Sequence, residues 1–372
     1  MTVVIGIIGL SFLVFFHELG HFLIARAMGV TVEAFSVGMG PVLLHHKKGA
    51  TDYRISLIPL GGYCSMKGEK DYQKALEEGR SQIQGDPDSF YGVHPLKRLF
   101  IAFAGPMFNM IFAFIAFLII ALCGYTYITA GTTVQMTRDV PEYQDMTSPA
   151  YEAGMRSGDR IVSIDGKPMA DFSEILTYIS MESGKTISVE VERNGEILEI
   201  NVQTELDKET GARRIGIVAM EGSEIEKNYG PYPFFPAIGE GLRQTFSMLS
   251  MTVTGIGRLF QGVDIKNAVS GPARVTTMLG SAVKEGFSEG FKIGLINTLE
   301  LLALISISLF LTNLLPIPIL DGGLILFALI EWIARRKMHP KVLYYIQIAG
   351  LVIVGCLVVL AVVGDIMYFV KK

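Results

Sequence analysis

Three ionisable residues stand together in an otherwise apolar run, His17, Glu18 and His21, in the order His-Glu-Leu-Gly-His. On a helix, positions i and i+4 lie on one face, so both imidazoles reach a single metal ion. The glutamate beside the first histidine is placed to polarise a metal-held water. Zinc lowers the pKa of such a water to about 7, which supplies a nucleophile at neutral pH. An ionisable side chain at the centre of a membrane-spanning helix costs ~3 kcal/mol on insertion scales, so three kept together mark a functional site. A chance match, or histidines that pair with another helix, are the alternatives that this clustering weighs against.

A catalytic zinc takes a third protein ligand. The acids near apolar sequence are Asp321, Glu300 and Glu331. Asp321 sits in Asn-Leu-Leu-Pro-Ile-Pro-Ile-Leu-Asp-Gly-Gly, residues 313–323, where two prolines break a helix. Broken backbone at membrane depth is tolerated where it is buried or lines a water-filled cavity, which suits a ligand presented into a site. Its competing role is a helix N-cap. Glu331 stands four residues before Arg335 and reads as an ion pair on a helix surface.

These residues need elements to hold them, and composition says which. Of 372 residues half are hydrophobic and only 18% are charged, against about a quarter in a soluble chain. A spanning helix needs about 20 mostly apolar residues. Four stretches qualify, roughly 3–28, 99–125, 291–315 and 342–370. The first lacks a basic leader and a small-residue cleavage site, so it reads as a retained helix rather than a signal peptide. A net charge of −4 offers no basic surface for nucleic acid. Cys64, Cys123 and Cys356 show no CxxC spacing, so neither a disulfide framework nor a cysteine-built zinc site is expected.

Between the first two spans, residues 53–63 alternate like a strand and end in Gly-Gly, while 67–88 are polar and read as a mobile loop. Residues 127–220 carry alternating runs, Gly turns and one helical stretch at 171–181, enough for a small α+β domain. Residues 229–290 are too broken to span and read as an amphipathic surface helix. Lys and Arg crowd the first-to-second and third-to-fourth connections, which places both on the cytoplasmic side and the α+β domain outside.

The pairing of His-Glu-Leu-Gly-His in the first span with Asn-Leu-Leu-Pro-Ile-Pro-Ile-Leu-Asp-Gly-Gly after the third resembles the site-2 protease family of intramembrane zinc metalloproteases. Gly105-Pro106-Met107-Phe108-Asn109 is similar to that family's Gly-Pro-x-x-Asn segment, 53–63 to its membrane-associated β-hairpin, and 35–41 to its Gly-x-Gly strand. Residues 148–169 are similar to bacterial PDZ domains, and the order of parts resembles the RseP-type branch with a single PDZ domain.

The resemblance implies a multi-pass α-helical membrane protein with four transmembrane helices, a membrane-associated β-hairpin and an inserted PDZ domain. Residues 1–125 and 291–372 would form the two halves of the protease core, 126–220 the PDZ domain and 221–290 the surface region. His17, His21 and Asp321 would hold Zn2+, and Glu18 would be the general base and then the proton donor. Asn109 and Asn313 would hydrogen-bond the substrate backbone or oxyanion, although hydrogen bonding between helices is an equal reading of both. The strand Tyr53, Arg54, Ile55 and Ser56 would pair with an unwound substrate, with headgroup contact the other reading of Arg54. The implied setting is a bacterial inner or plasma membrane with the active site toward the cytoplasm. The implied partners are the lipid bilayer and single-pass proteins already clipped outside, such as anti-sigma factors or signal-peptide remnants. The PDZ domain would bind trimmed ends or act as a size filter. The rivals are a membrane-anchored PDZ adaptor with structural zinc, another His-Glu-x-x-His metalloprotease with a glutamate third ligand, and a zinc transporter.

Overall fold

The structure is a computed structural model in which residues 2–144, 146–181, 186–207, 212–259 and 271–371 are described. It opens with α1 (Thr2–Ala27), the long strands β1 (Val32–Lys48) and β2 (Thr51–Met66), the short α2 (Asp71–Glu77) and α3 (Pro95–Cys123). An α+β segment follows: β3 (Tyr125–Ala130), β4 (Val134–Met136), α4 (Pro149–Glu152), β5 (Arg160–Ile164), β6 (Lys167–Pro168), α5 (Phe172–Met181), β7 (Thr186–Arg193), β8 (Glu196–Gln203), β9 (Glu205–Leu206), β10 (Arg213–Arg214), β11 (Ile217–Ala219) and β12 (Glu224–Tyr229). The chain ends in α6 (Phe234–Leu259), α7 (Pro272–Glu289), α8 (Phe291–Asn313), α9 (Asp321–Ala334) and α10 (Pro340–Lys371).

Two units emerge, one of Met1–Ile120, Phe235–Leu249 and Ser270–Lys372, the other of Ala121–Phe234 and Ser250–Val269. In the second, β6-β5-β7-β8 form an antiparallel sheet whose inward side chains, among them Ile161, Ile164, Val189 and Val191, are fully buried. The alternation seen in the sequence is the period of this one-sided burial. β3 pairs with β12, and β4 with β11.

In the first unit α1, α3, α8 and α10 are long and apolar enough to cross a membrane. Each runs within a few residues of the span expected from composition, because about 20 apolar residues at ~1.5 Å rise match a ~30 Å hydrocarbon layer. Small residues let their backbones close. A Cβ on Gly20 of α1 would stand 2.4 Å from the Ala104 carbonyl oxygen of α3, and one on Gly6 would stand 2.0 Å from that of Thr276 in α7.

Three expectations change. The stretch 67–88 is anchored rather than mobile: it forms α2, Ile83 and Tyr72 are buried, and Lys67 pairs with Asp86 and Asp88. Its polar surface hides those few apolar anchors from a composition reading. Residues 229–290 are not one surface helix. The later part, α7, packs on α1, and Asp365 of α10 accepts hydrogen bonds from the backbone N–H groups of Gly271 and Ala273 at its start, both at 2.9 Å. A buried carboxylate there satisfies amides that an N-terminus leaves open. Residues 260–270, within that same expected region, lie outside the described residues.

Third, the sheet is more than a hairpin. Phe35, Ser36 and Val37 each face two neighbours, 62–64 on one side and 53–55 on the other. Tyr53, Arg54 and Ile55 also pair with His46, His45 and Leu44, so these three lie inside the sheet and not at its edge. Gly61 and Gly62 fall within β2 instead of ending it. The doubling back of β1 at positive-φ Gly38 and Gly40 creates the extra neighbour.

Candidate active site

α1 presents His17 and His21 one turn apart on a buried face, both under 9% exposed. Their Nε2 atoms lie 3.2 Å apart. The Asp321 carboxylate closes the triangle, Oδ2 at 3.1 Å from His17 and Oδ1 at 3.3 Å from His21. Among the described residues this is the one cluster of metal-ligating groups.

Asp321 arrives there through a forced reversal. α8 ends at Asn313, the prolines at 316 and 318 block its continuation, and the chain turns so that α9 starts at Asp321 itself. Ile319 takes φ of 103°, a strained value for a β-branched residue and one that persists only where packing holds it. That packing is tight. A Cβ on Gly322 would stand 2.2 Å from the Leu315 carbonyl oxygen, and one on Gly350 of α10 would stand 1.8 Å from that of Pro318. Leu320 occupies the N-cap position without a side-chain cap, so Asp321 serves the imidazoles and not the helix end.

The other acids are accounted for. Glu331 is buried against Arg98 of α3 and accepts the Met338 N–H, so its expected partner Arg335 gives way to a residue from another helix. Glu300 is exposed on α8.

Partners behind the imidazoles orient them. His21 Nδ1 donates to the Ile101 carbonyl at 2.8 Å. A proton on Nδ1 leaves Nε2 as the free lone pair, the tautomer a metal requires. Asn109, fully buried, lies with its amide nitrogen 3.2 Å from His17 Nδ1, while its Oδ1 has no partner. With a metal held by His17 Nε2, Nδ1 would carry the proton. A half-turn of the amide then lets Oδ1 accept it and satisfies the orphaned oxygen. Asn109 therefore sits against a ligand, held from α8 by Ser306 Oγ, which donates to its backbone carbonyl at 2.9 Å. Asn109→Ala is expected to weaken zinc affinity by about 10–100-fold, read by competition with a metal indicator, with the fold retained.

Two glycines to which the motifs assign no role of their own complete the site. A Cβ on Gly105 would stand 2.2 Å from His21 Nε2 and 2.8 Å from His17 Cε1, so this absent side chain is the space in front of the imidazoles. The signal was present, since Gly105 and Asn109 are i and i+4 on one face of α3. Gly62 of β2 lies beside the base: its Cβ would meet Glu18 Cγ at 3.4 Å. Glu18 is half-buried and makes no side-chain hydrogen bond among the described residues. Asn313 closes α8, half-buried, its amide also unengaged among the described residues. Arg54 donates to Asp52 at 2.8 Å and to Tyr63 at 3.1 Å, and its guanidinium holds the Asp52 carboxyl below the usual carboxylate range. Residues 62–65 pair on one side only, with 34–37, among the described residues.

Two neutral nitrogens and one carboxylate, with room in front and second hydrogen bonds behind, match a zinc site that keeps an open position. An activated water needs a base that is not a ligand, and Glu18 is such a group. The class of protein is thus a metal-dependent hydrolase built on membrane-type helices.

Comparison with known proteins agrees. The pattern of peptidase family M50 matches residues 5–357, and the chain belongs to that family. Over 98% of its length it is 34% identical to a "Putative zinc metalloprotease" of Treponema pallidum, covering 99% of that protein. A protein of the same description from Campylobacter jejuni is 34% identical, with 96% of this chain and 91% of the relative aligned. One from Clostridium perfringens is 29% identical over 99% of both.

Proposed function

We propose that the protein is a zinc endopeptidase that cuts peptide bonds within or near the membrane-spanning segments of single-pass proteins in a bacterial inner or plasma membrane. The observation that carries this reading is the position of the triad and base: His17, Glu18 and His21 all belong to a helix with the length and apolarity of a membrane span.

Zinc held by His17, His21 and Asp321 supplies Lewis acidity, which acidifies a water and polarises a peptide carbonyl. Glu18 takes the proton of the attacking water and delivers it to the leaving amine. Asn313 donates its unengaged amide to the substrate backbone or the developing oxyanion. Asn109 holds His17 in its ligating tautomer, which replaces the substrate contact expected of it.

A helical substrate must unwind to be cut, and its freed N–H and C=O groups need partners in a dry setting. Edge addition to a sheet provides them. The edge proposed here is 62–65, beside Glu18, in place of 53–56, of which Tyr53, Arg54 and Ile55 are interior. Exposed Leu43, Leu44, Leu57 and Ile58 suit a sheet immersed among lipid tails. The α+β unit is read as a PDZ domain of the single-PDZ branch, lying outside the cell and screening substrates already shortened there.

The test is cleavage of a tagged single-pass protein by purified enzyme in detergent. Activity that a zinc chelator removes and added zinc restores supports the reading. Activity that survives complete zinc removal rejects it.

A further inference from the structure

A cavity of about 420 Å3 lies where the start of α3 meets the end of α9, and none of its lining residues belongs to the metal site. Its wall carries His94, Arg98, Arg335, Arg336 and Lys337 against a single carboxylate, Glu331. That carboxylate is already engaged by Arg98 and by the Met338 N–H. No carboxylate among the described residues pairs with Arg335, Arg336 or Lys337, and Lys337 donates only to the Ile83 and Tyr91 carbonyls at 3.2 and 3.4 Å. Arg98 is 4% exposed, lines the cavity and has a buried Nε with no partner. Three exposed cations and one buried orphaned donor around a single hollow suit an anion.

The rim says which anion. Trp332 lines the same cavity and is 46% exposed. Tryptophan is the residue of the membrane–water boundary, and α3 is a candidate span that begins here. A soluble anion would leave this indole without an occupant, whereas a lipid supplies a charged head and apolar tails together. Guanidinium forks fit phosphate oxygens in pairs. Arg335 takes a left-handed φ of 53° at the end of α9, which turns the 335–337 segment at the helix end.

We infer that this cavity binds the phosphodiester headgroup of an anionic phospholipid, with Arg335 and Arg336 on the phosphate and Trp332 against the acyl chains. The site rests on α3 spanning the membrane and is independent of the peptidase reading.

The experiment uses the full chain in detergent, stripped of lipid and titrated separately with phosphatidylglycerol, phosphatidylcholine and millimolar inorganic phosphate. Bound lipid is counted by native mass spectrometry, and thermal stability and zinc content are followed in the same samples. Phosphatidylglycerol is expected to bind and raise the melting temperature, and the other two are not. The double variant Arg335→Asn/Arg336→Gln keeps a residue tolerant of left-handed backbone at 335. It is expected to bind phosphatidylglycerol about twenty-fivefold more weakly, fivefold per charge removed, with zinc content unchanged. If the double variant does not fold, Arg336→Gln alone is expected to show the single fivefold loss. Unchanged phosphatidylglycerol affinity in a folded variant overturns the site. Equal binding of phosphatidylcholine overturns the charge selection, and a full thermal shift from inorganic phosphate alone overturns the lipid assignment.

Discussion

Replacing Glu18 by Gln is expected to lower peptide cleavage by about 10²–10⁴-fold while one zinc per chain stays bound. The two halves of that result have separate causes. Glutamine has nearly the same shape, so the packing of Glu18 Cγ near Gly62 survives, and none of His17, His21 and Asp321 is touched. What is lost is a group that can hold a proton between the water and the leaving amine. Glu18 makes no side-chain hydrogen bond among the described residues, so no structural contact goes with it. Rate and metal content measured on the same preparation check the outcome. A variant that loses its zinc would make Glu18 part of the metal's support, and one that cleaves at the wild-type rate would remove it from the chemistry.

Gly105→Ala is expected to abolish zinc binding through a single methyl group. The added carbon would lie 2.2 Å from His21 Nε2 and 2.8 Å from His17 Cε1, far inside any non-bonded contact. Relief requires α3 and α1 to part or the imidazoles to turn. Both are hard, because Gly20 already lets α1 meet the Ala104 carbonyl in backbone contact, and His21 is tied to Ile101 of the same helix. Zinc sites tolerate about 0.2 Å of ligand displacement. A shift of the size needed breaks the triangle. The measurement is zinc per chain with helical content as a control, alongside Ile111→Ala at an exposed position of α3, which is expected to keep its zinc. Full zinc occupancy in folded Gly105→Ala would mean that the metal lies elsewhere.

Much of this site is legible in the chain because its constraints are local. His17, Glu18 and His21 share one helix, and helical period alone brings both imidazoles to one face. Pro316, Pro318 and the two glycines after Asp321 announce a broken helix with an acid at its restart. The spans are legible because the bilayer fixes their length and polarity. What escapes sequence reading depends on contacts between distant segments. Asn109 against His17, Arg98 against Glu331 and Asp365 against Gly271 each join residues about ninety or more positions apart. No period or spacing encodes such pairs. The interior place of Tyr53 was hidden for a related reason. Alternation reports which face a side chain takes, but not how many neighbours its strand has. Gly105 and Gly62 escaped because their role is an absence of atoms, visible only once the opposing group is in place.

The central claim is that a peptide bond is cut at membrane depth by the His17–Glu18–His21–Asp321 site. Its most direct test is to reconstitute the enzyme and a single-pass substrate in liposomes and map the product ends by mass spectrometry, with Glu18→Gln beside the wild type. New termini inside or at the border of the substrate's apolar segment, made by the wild type and missing with the variant, are the result this account predicts. Termini confined to the soluble parts of the substrate, or the same apolar cuts made by Glu18→Gln, would contradict it.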